Sequence, residues 1–180
     1  MSLKDITKDL HTEAERTPFM RAVLKGEIPA DVWADWTYQR SIIYGSIESV
    51  ARDAGFTKDC LDVERALKLY LDAKEITNGN FPKLRPETIE YSRYLLDLVG
   101  HGNKILGHLY TWHMGDLYGG QMIKKILSDF PHRALSFNDV EGTKEIIREK
   151  LDDSLGPEAC VAFQYAIKMM HTYDGQLNIQ

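Results

Sequence analysis

Apolar residues recur at three- and four-residue intervals along almost the whole chain, and no run alternates for long enough to make a strand. In "SLKDITKDLHTEAERT", Leu3, Ile6 and Leu10 share one face, with Ser2 placed as N-cap and Asp5 three residues on, as a capping box requires. Pro18 lies beyond this helix. "PADVWADWTYQRSIIYGSIESVARDAG" opens with Pro29 near the first helical position and closes at Gly55, with Val32, Trp36, Ile43 and Ile47 at helical spacing. A third helix, "CLDVERALKLYLDAKEIT", is ended by "NGNFP", and a fourth, "PETIEYSRYLLDLVG", runs from Pro86 to Gly100. The long "NKILGHLYTWHMGDLYGGQMIKKILSDFP" is stopped by Pro131, and "EGTKEIIREKLDDSLG" and "PEACVAFQYAIKMMHTYDGQL" follow. There is no internal repeat or low-complexity stretch. The pattern predicts an all-α fold of about seven helices, forming one domain over residues 1–180.

One helix breaks its own pattern. "HMGDLYGGQ" holds Gly115, Gly119 and Gly120 among apolar and aromatic residues, with Asp116 between them. Each glycine inside a helix costs about 1 kcal/mol relative to alanine. A helix break or a tight helix crossing is one explanation. The other is that Gly115 and Gly119, at i and i+4, make a face without side chains on which something flat can lie against backbone. Asp116 is then angled beside that face.

Composition narrows the field without choosing between these. The 180 residues are 43% hydrophobic and 27% charged, ordinary for a water-facing globular domain. A net charge of −5 argues against a general nucleic-acid binder. Cys60 and Cys160 are too few for a disulfide framework or a cysteine-rich zinc site, which fits a reduced, cytosolic setting. The uncharged run from Ile105 to Gly115 is too short to span a bilayer. Lys4, Asp5, Lys8 and Asp9 do not make a signal peptide, and "HTYDGQLNIQ" is no apolar tail anchor. Among the histidines, His11 stands out beside the apolar face of the first helix, with Lys4 and Lys8 on nearly the same stripe. An imidazole flanked by ammonium groups suits a metal carried by an anionic ring. His108 and His113 are five apart, with no Glu or Cys beside them, and read as structural. Lys144 and Arg148, at i and i+4 with Glu145 and Glu149 interleaved, read by themselves as a solvated face, as do Lys124 and Lys125.

The chain resembles the heme oxygenases. "GDLYGGQ" is similar to that family's distal-helix motif, usually Gly-Asp-Leu-Ser-Gly-Gly-Gln, and is preceded by the family-like "HLYT". "LHTEAERTPFM" resembles the proximal segment, and "IIYGSIE" the second-helix region that carries a distal-pocket tyrosine. The resemblance runs from about Leu3 to Leu177 and is weakest between Gly55 and Arg85. It implies heme held between the first helix and a kinked, glycine-rich distal helix. His11 would be the iron ligand, with Glu15 in its neighbourhood. Asp116 would be the distal acid that orders water, and Tyr44 part of its hydrogen-bond network. Gly115 and Gly119 would lie against the heme face, Tyr110 would line the pocket, and Lys4, Lys144 and Arg148 would face the propionates. Three positions depart from the pattern: Tyr118 replaces the motif's Ser, Trp112 stands where an Arg commonly follows Tyr-Thr, and Met169, Met170 and His171 occupy the region that usually offers an Asn. Asp116 would then have fewer polar helpers, or different ones.

The implied activity is reductive, oxygen-dependent cleavage of heme, as both substrate and cofactor, to biliverdin, carbon monoxide and ferrous iron, at the α-meso carbon. Electrons would come from a ferredoxin or a flavoprotein reductase, because no flavin or nucleotide motif is visible. The resemblance also implies a monomer without a membrane anchor, in the cytoplasm or a plastid stroma. One rival is a non-catalytic heme-binding or storage protein of the same fold, suggested by Trp112 and the missing Asn. A second, a thiamine-degrading helical enzyme, would need a nucleophilic cysteine, and neither "KDCLD" nor "EACVA" looks activated. A third, a plain helical interaction module, is disfavoured by the paired motifs.

Overall fold

The computed structural model describes residues 2–58 and 61–177, without the side chain of Leu61, so Cys60 lies outside the described residues. These residues form nine α-helices and no strand. Helix α1 (Leu3–Arg16) starts with the expected capping box: the Ser2 side chain accepts from Asp5 N at 3.2 Å, and Ser2 N donates to the Asp5 carboxylate at 3.1 Å. Pro18 does not simply follow that helix. It opens a second one, α2 (Pro18–Lys25), capped by the Thr17 hydroxyl, which accepts from Met20 N at 3.2 Å. An eight-residue helix is too short for periodicity to announce itself.

Helix α3 (Ala30–Asp53) is the centre of the molecule. Trp33, Trp36, Ile43, Tyr44, Ile47 and Val50 are all buried on it, and it packs against α4 (Ala66–Ile76), α5 (Pro86–Leu96) and α6 (Ile105–Leu109). Pro29 sits at its N-cap and Gly55, with φ +81°, just past its end. Helix α4 begins at Ala66, later than the apolar pattern suggests, because its first amides are claimed from α3. One Glu48 carboxylate oxygen accepts from Arg65 N at 2.5 Å and from Ala66 N at 2.8 Å. Helix α5 stops at Leu96 rather than Gly100, which has φ +78° in the turns that follow.

The long glycine-containing segment is not one uninterrupted helix. Between α6 and α7 (Gly115–Ile126) lies a single π turn, Tyr110–Met114. The Thr111 hydroxyl there reaches both the Gly107 carbonyl at 3.2 Å and the Ala159 carbonyl at 3.3 Å, a competing bond of the kind that loosens a helical ladder. Helix α8 (Val140–Glu149) is capped by Asp139, and α9 (Gly156–His171) lies along α1 and α6. A Cβ at Gly156 would stand 2.9 Å from the Ile6 side chain, so glycine is what lets α1 and α9 approach.

Candidate functional site

The glycines of the distal segment divide into two kinds. A Cβ on Gly107 would meet Glu158 Cβ at 2.7 Å and Ala159 N at 2.8 Å, and one on Gly120 would meet a Leu135 methyl at 2.8 Å. Those two are packing glycines. At Gly115 and Gly119 an added Cβ would meet nothing within 4 Å. One turn of α7 therefore offers bare backbone to open space, and packing does not explain the missing side chains.

Asp116 turns the other way, into the protein, and is 7% exposed. Arg40 Nη2 donates to its Oδ1 at 2.6 Å and its Oδ2 at 2.5 Å, and the Tyr44 hydroxyl lies 2.6 Å from Oδ2. The same hydroxyl accepts from Arg40 at 3.1 Å and stands 2.9 Å from the Trp112 carbonyl in the π turn. Burial works against the Arg40 charge, but Asp116 and Tyr44 outweigh it, and the guanidinium pKa rises above its ordinary value. Burial, reinforced by the Asp116 charge, pushes the Tyr44 phenol well up, so it remains a neutral donor. Arg40 is the residue that sequence reasoning passed over. Its signal was present: a lone cation in the largely apolar "RSIIYG", one helical turn before Tyr44. It supplies from α3 a guanidinium beside Asp116, while Trp112, where the motif usually carries Arg, aims its indole N–H at the Tyr91 hydroxyl, 3.0 Å away. Met169 and Met170 are buried core residues.

His11 presents an imidazole whose side chain is 59% exposed, with Glu15 at 3.6 Å one turn on. Its ring meets Phe163 of α9 edge-on at 5.8 Å. Tyr110, half-buried, packs against the cluster of Ala14, Phe163 and Ile167, so α1 and the start of the π turn are joined through α9. Lys4 stands exposed in the first turn of α1. Lys144 and Arg148 are brought together by Tyr118. The Lys144 ammonium lies 4.1 Å from the centre of the Tyr118 ring and pairs with Glu141 at 2.7 Å, while Arg148 hydrogen-bonds the Tyr118 hydroxyl. The Ser-to-Tyr departure thus ties α7 to the two basic residues of α8.

His108 and His113 are both buried, as the sequence implied for structural residues. His113 Nε2 bonds the Val63 carbonyl at 2.8 Å, and burial pushes its pKa down to about 4. His108 bonds Tyr91 and Glu158. Among the described residues no cluster of three or more His, Cys, Asp or Glu side chains is placed to hold a metal ion, and no helix is long and apolar enough to cross a membrane.

A family model described as heme oxygenase matches residues 1–155 of the chain. Heme oxygenase 1 of Gallus gallus is 30% identical over 69% of this chain and 45% of its own length. Heme oxygenase 2 of Mus musculus is 28% identical over 84% of this chain and 50% of its own length. The chain thus spans about half the length of these relatives. Among solved structures, heme oxygenase-1 from the cyanobacterium Synechocystis sp. PCC6803, in complex with heme, superposes with a TM-score of 0.84 at 21% identity, covering 97% of this chain and 91% of that one. The heme oxygenase of Leptospira interrogans gives 0.82 at 21% identity, covering 96% and 100%. At these identities the superpositions establish the fold, which the two proteins share with this chain.

Proposed function

The chain belongs to the heme oxygenase family, and on that premise we propose that it binds heme as substrate and cofactor and cleaves it reductively with dioxygen to biliverdin, carbon monoxide and ferrous iron. The observation that carries this reading is the side-by-side placement on α7 of a bare backbone face, Gly115 and Gly119, and a buried carboxylate, Asp116, fixed by Arg40 and Tyr44. A flat macrocycle fits the first, and a proton-directing water fits the second.

Heme, once bound, supplies the iron at which dioxygen is activated and the ring that is opened. The exposed imidazole of His11 has a nitrogen to offer that iron, and Glu15 is close enough to orient the ring through its other nitrogen. Gly115 and Gly119 let the helix backbone approach the plate and leave no side chain on that face to pull an O–O bond apart. Asp116 faces into the protein, but its Oδ1 accepts only from Arg40 among the described residues, which leaves a lone pair to hold a water at the edge of the bare face while Arg40 balances the charge from within. Tyr44 fixes the carboxylate's rotation. Lys144 and Arg148, already held over Tyr118, and Lys4 on α1 pair with the ring's propionates, and Tyr110 closes the side of the pocket. Electrons come from a ferredoxin or a flavoprotein reductase, and the macrocycle is opened at the α-meso carbon. Cysteine usage fits a reduced, cytosolic setting, and the resemblance to the family supports a monomer of the cytoplasm or plastid stroma.

The test is a hemin titration followed by ferredoxin-driven turnover, with the pigment and its isomer identified by absorption and chromatography. His11→Ala is expected to keep heme but change its ferric spectrum and stop turnover. Asp116→Ala is expected to keep heme affinity and lose most biliverdin, with Asp116→Asn intermediate because an amide still holds water. Equal biliverdin yields from the wild type and Asp116→Ala would remove Asp116 from the mechanism. Trp112 favours a second reading, a heme-binding protein without turnover, which a Soret band that persists in the reduced complex under oxygen would establish.

A further inference from the structure

Behind the distal helix lies a polar network that the proposed cleavage does not use. Tyr91, on α5, is fully buried, and its hydroxyl lies 2.7 Å from Nδ1 of the equally buried His108. His108 Nε2 is 3.0 Å from a Glu158 oxygen, which also accepts from Tyr94 at 2.8 Å, and Lys104 lies 3.7 Å from the other Glu158 oxygen. The roles are forced by valence. The Glu158 carboxylate only accepts, so Nε2 carries the hydrogen and Nδ1 of a neutral ring must accept. Trp112 donates its indole N–H to the Tyr91 oxygen, which leaves the Tyr91 proton free for Nδ1. Burial lowers the His108 pKa, in keeping with a neutral ring. The result is a buried phenol with a hydrogen-bonded base and a carboxylate behind that base.

Aromatic rings connect this phenol in two directions. Toward the candidate site, the Tyr91 ring is 6.2 Å from Trp112, and Trp112 is 6.0 Å from Tyr44, which touches Asp116. Outward, Tyr91 stacks at 4.3 Å on half-buried Tyr165, whose hydroxyl reaches the exposed Glu90. We propose that Tyr91, with His108 as its proton acceptor and Glu158 as the counter-charge, is a redox-active tyrosine that drains oxidising equivalents from the distal site through Trp112 and passes them to the surface through Tyr165.

The oxidant is hydrogen peroxide acting at bound heme, so this part of the inference rests on the heme reading. Reducing one hydrogen peroxide to two waters takes two electrons and two protons; until the electrons arrive two oxidising equivalents stand at the heme site, and the protons come from solvent, which receives one back for each electron that ascorbate gives up. Tyr91 gives up one electron through Trp112, and its phenolic proton moves to His108 Nδ1, so a neutral tyrosyl radical faces an imidazolium paired with Glu158. An external one-electron reductant such as ascorbate, acting through Tyr165, returns the electron, and the proton goes back from His108. A second such turn clears the second equivalent. Without Trp112 the relay would have a gap between Tyr44 and Tyr91, which gives the residue at this departure from the family motif a use.

Two arms test it. In the first, hemin-loaded protein is mixed with hydrogen peroxide, freeze-quenched and examined by electron paramagnetic resonance. In the second, the heme-free protein is oxidised by a photoexcited ruthenium tris-bipyridyl complex with persulfate. In both arms the wild type is expected to give the tyrosyl signal of a buried, histidine-hydrogen-bonded phenol, and Tyr91→Phe to lose that component. Trp112→Phe should lose it in the hemin arm and keep it in the ruthenium arm. Mass spectrometry after peroxide should show oxygen adducts at Tyr44 and Trp112 several-fold higher in Tyr91→Phe. A signal unchanged by Tyr91→Phe in the ruthenium arm overturns the redox role. With hemin bound, as its Soret band reports, an unchanged signal or unchanged adduct yield in the peroxide arm overturns the link to the distal site. If hemin does not bind, the heme reading fails and the ruthenium arm still decides on Tyr91. Phenylalanine preserves the stacked ring, and far-ultraviolet circular dichroism confirms that the variant is folded.

Discussion

At the scale of single residues, the Arg40–Asp116 pair shows what a motif can and cannot convey. Asp116 announces itself inside "GDLYGGQ", and Tyr44 through "IIYGSIE", but the guanidinium that holds the acid comes from a different helix than the motif leads one to expect. A linear pattern records which residue types are present, not which helix reaches across to them. With side-chain exposures of 7% and 10%, the pair is desolvated, and its two charges depend on each other. Removing one partner of a buried pair leaves a stranded charge and costs about 3–5 kcal/mol. Arg40→Met is therefore expected to lower the urea-unfolding free energy by about that amount, and Arg40→Met with Asp116→Leu to cost much less than the two single changes added together. Additive losses in that double-mutant cycle would show that the two side chains are not coupled in solution. The double variant should also yield no biliverdin, since no carboxylate is then left to hold the water.

At the scale of elements, the helical periodicity and the chemistry of the caps were legible. Ser2 and Asp5 made the capping box expected of them, and the apolar stripe of α3 lies in the core. The π turn at Tyr110–Met114 was not legible, because it depends on Thr111 finding the Ala159 carbonyl of a helix about fifty residues away, a tertiary contact that no local pattern encodes. Nor could the sequence distinguish packing glycines from open ones, and here the structure makes a sharp prediction. At Gly119 an alanine methyl meets nothing, so Gly119→Ala should raise the stability of the heme-free protein by about 0.5–1 kcal/mol through helix propensity alone. The same methyl would stand where the plate is proposed to lie, and hemin affinity should fall. Gly107→Ala should do the reverse of the first effect, destabilising the fold because α9 backbone lies in its way. Thermal unfolding of both variants without heme, and a hemin titration of Gly119→Ala, check this. An unstable Gly119→Ala would make Gly119 a structural residue after all, and one that binds hemin as the wild type does would take Gly119 out of the heme face.

At the scale of the whole molecule, two buried titratable groups hold the same strand of chain from opposite sides. Glu48 of α3 binds the amides of Arg65 and Ala66, and His113 of the π turn binds the Val63 carbonyl, so together they moor the segment that leads into α4. Their pH dependences oppose each other. Burial lifts Glu48 from 4.5 to about 7 against its two amide hydrogen bonds, so between these values the folded state binds the extra proton and stability falls as pH rises. Burial lowers His113 from 6.5 to about 4, so between these values the unfolded state binds the extra proton and stability rises with pH. His108, also lowered by burial, adds to the rise. Each contribution has a slope of at most about 1.4 kcal/mol per pH unit. Between pH 5 and 6.5 the Glu48 and His113 contributions largely cancel, and the wild type should show only the shallow rise that His108 adds. Glu48→Gln keeps an oxygen for the two amides but no longer titrates, so the falling contribution disappears while α4 stays capped. The variant's unfolding free energy, measured by urea at a series of pH values, should rise about 1 kcal/mol per pH unit more steeply than the wild type's across that window. Parallel profiles would mean that Glu48 is already ionised throughout the window, with its charge carried by the two amides. The steeper rise would show that this helix start is held by a protonated acid below neutral pH.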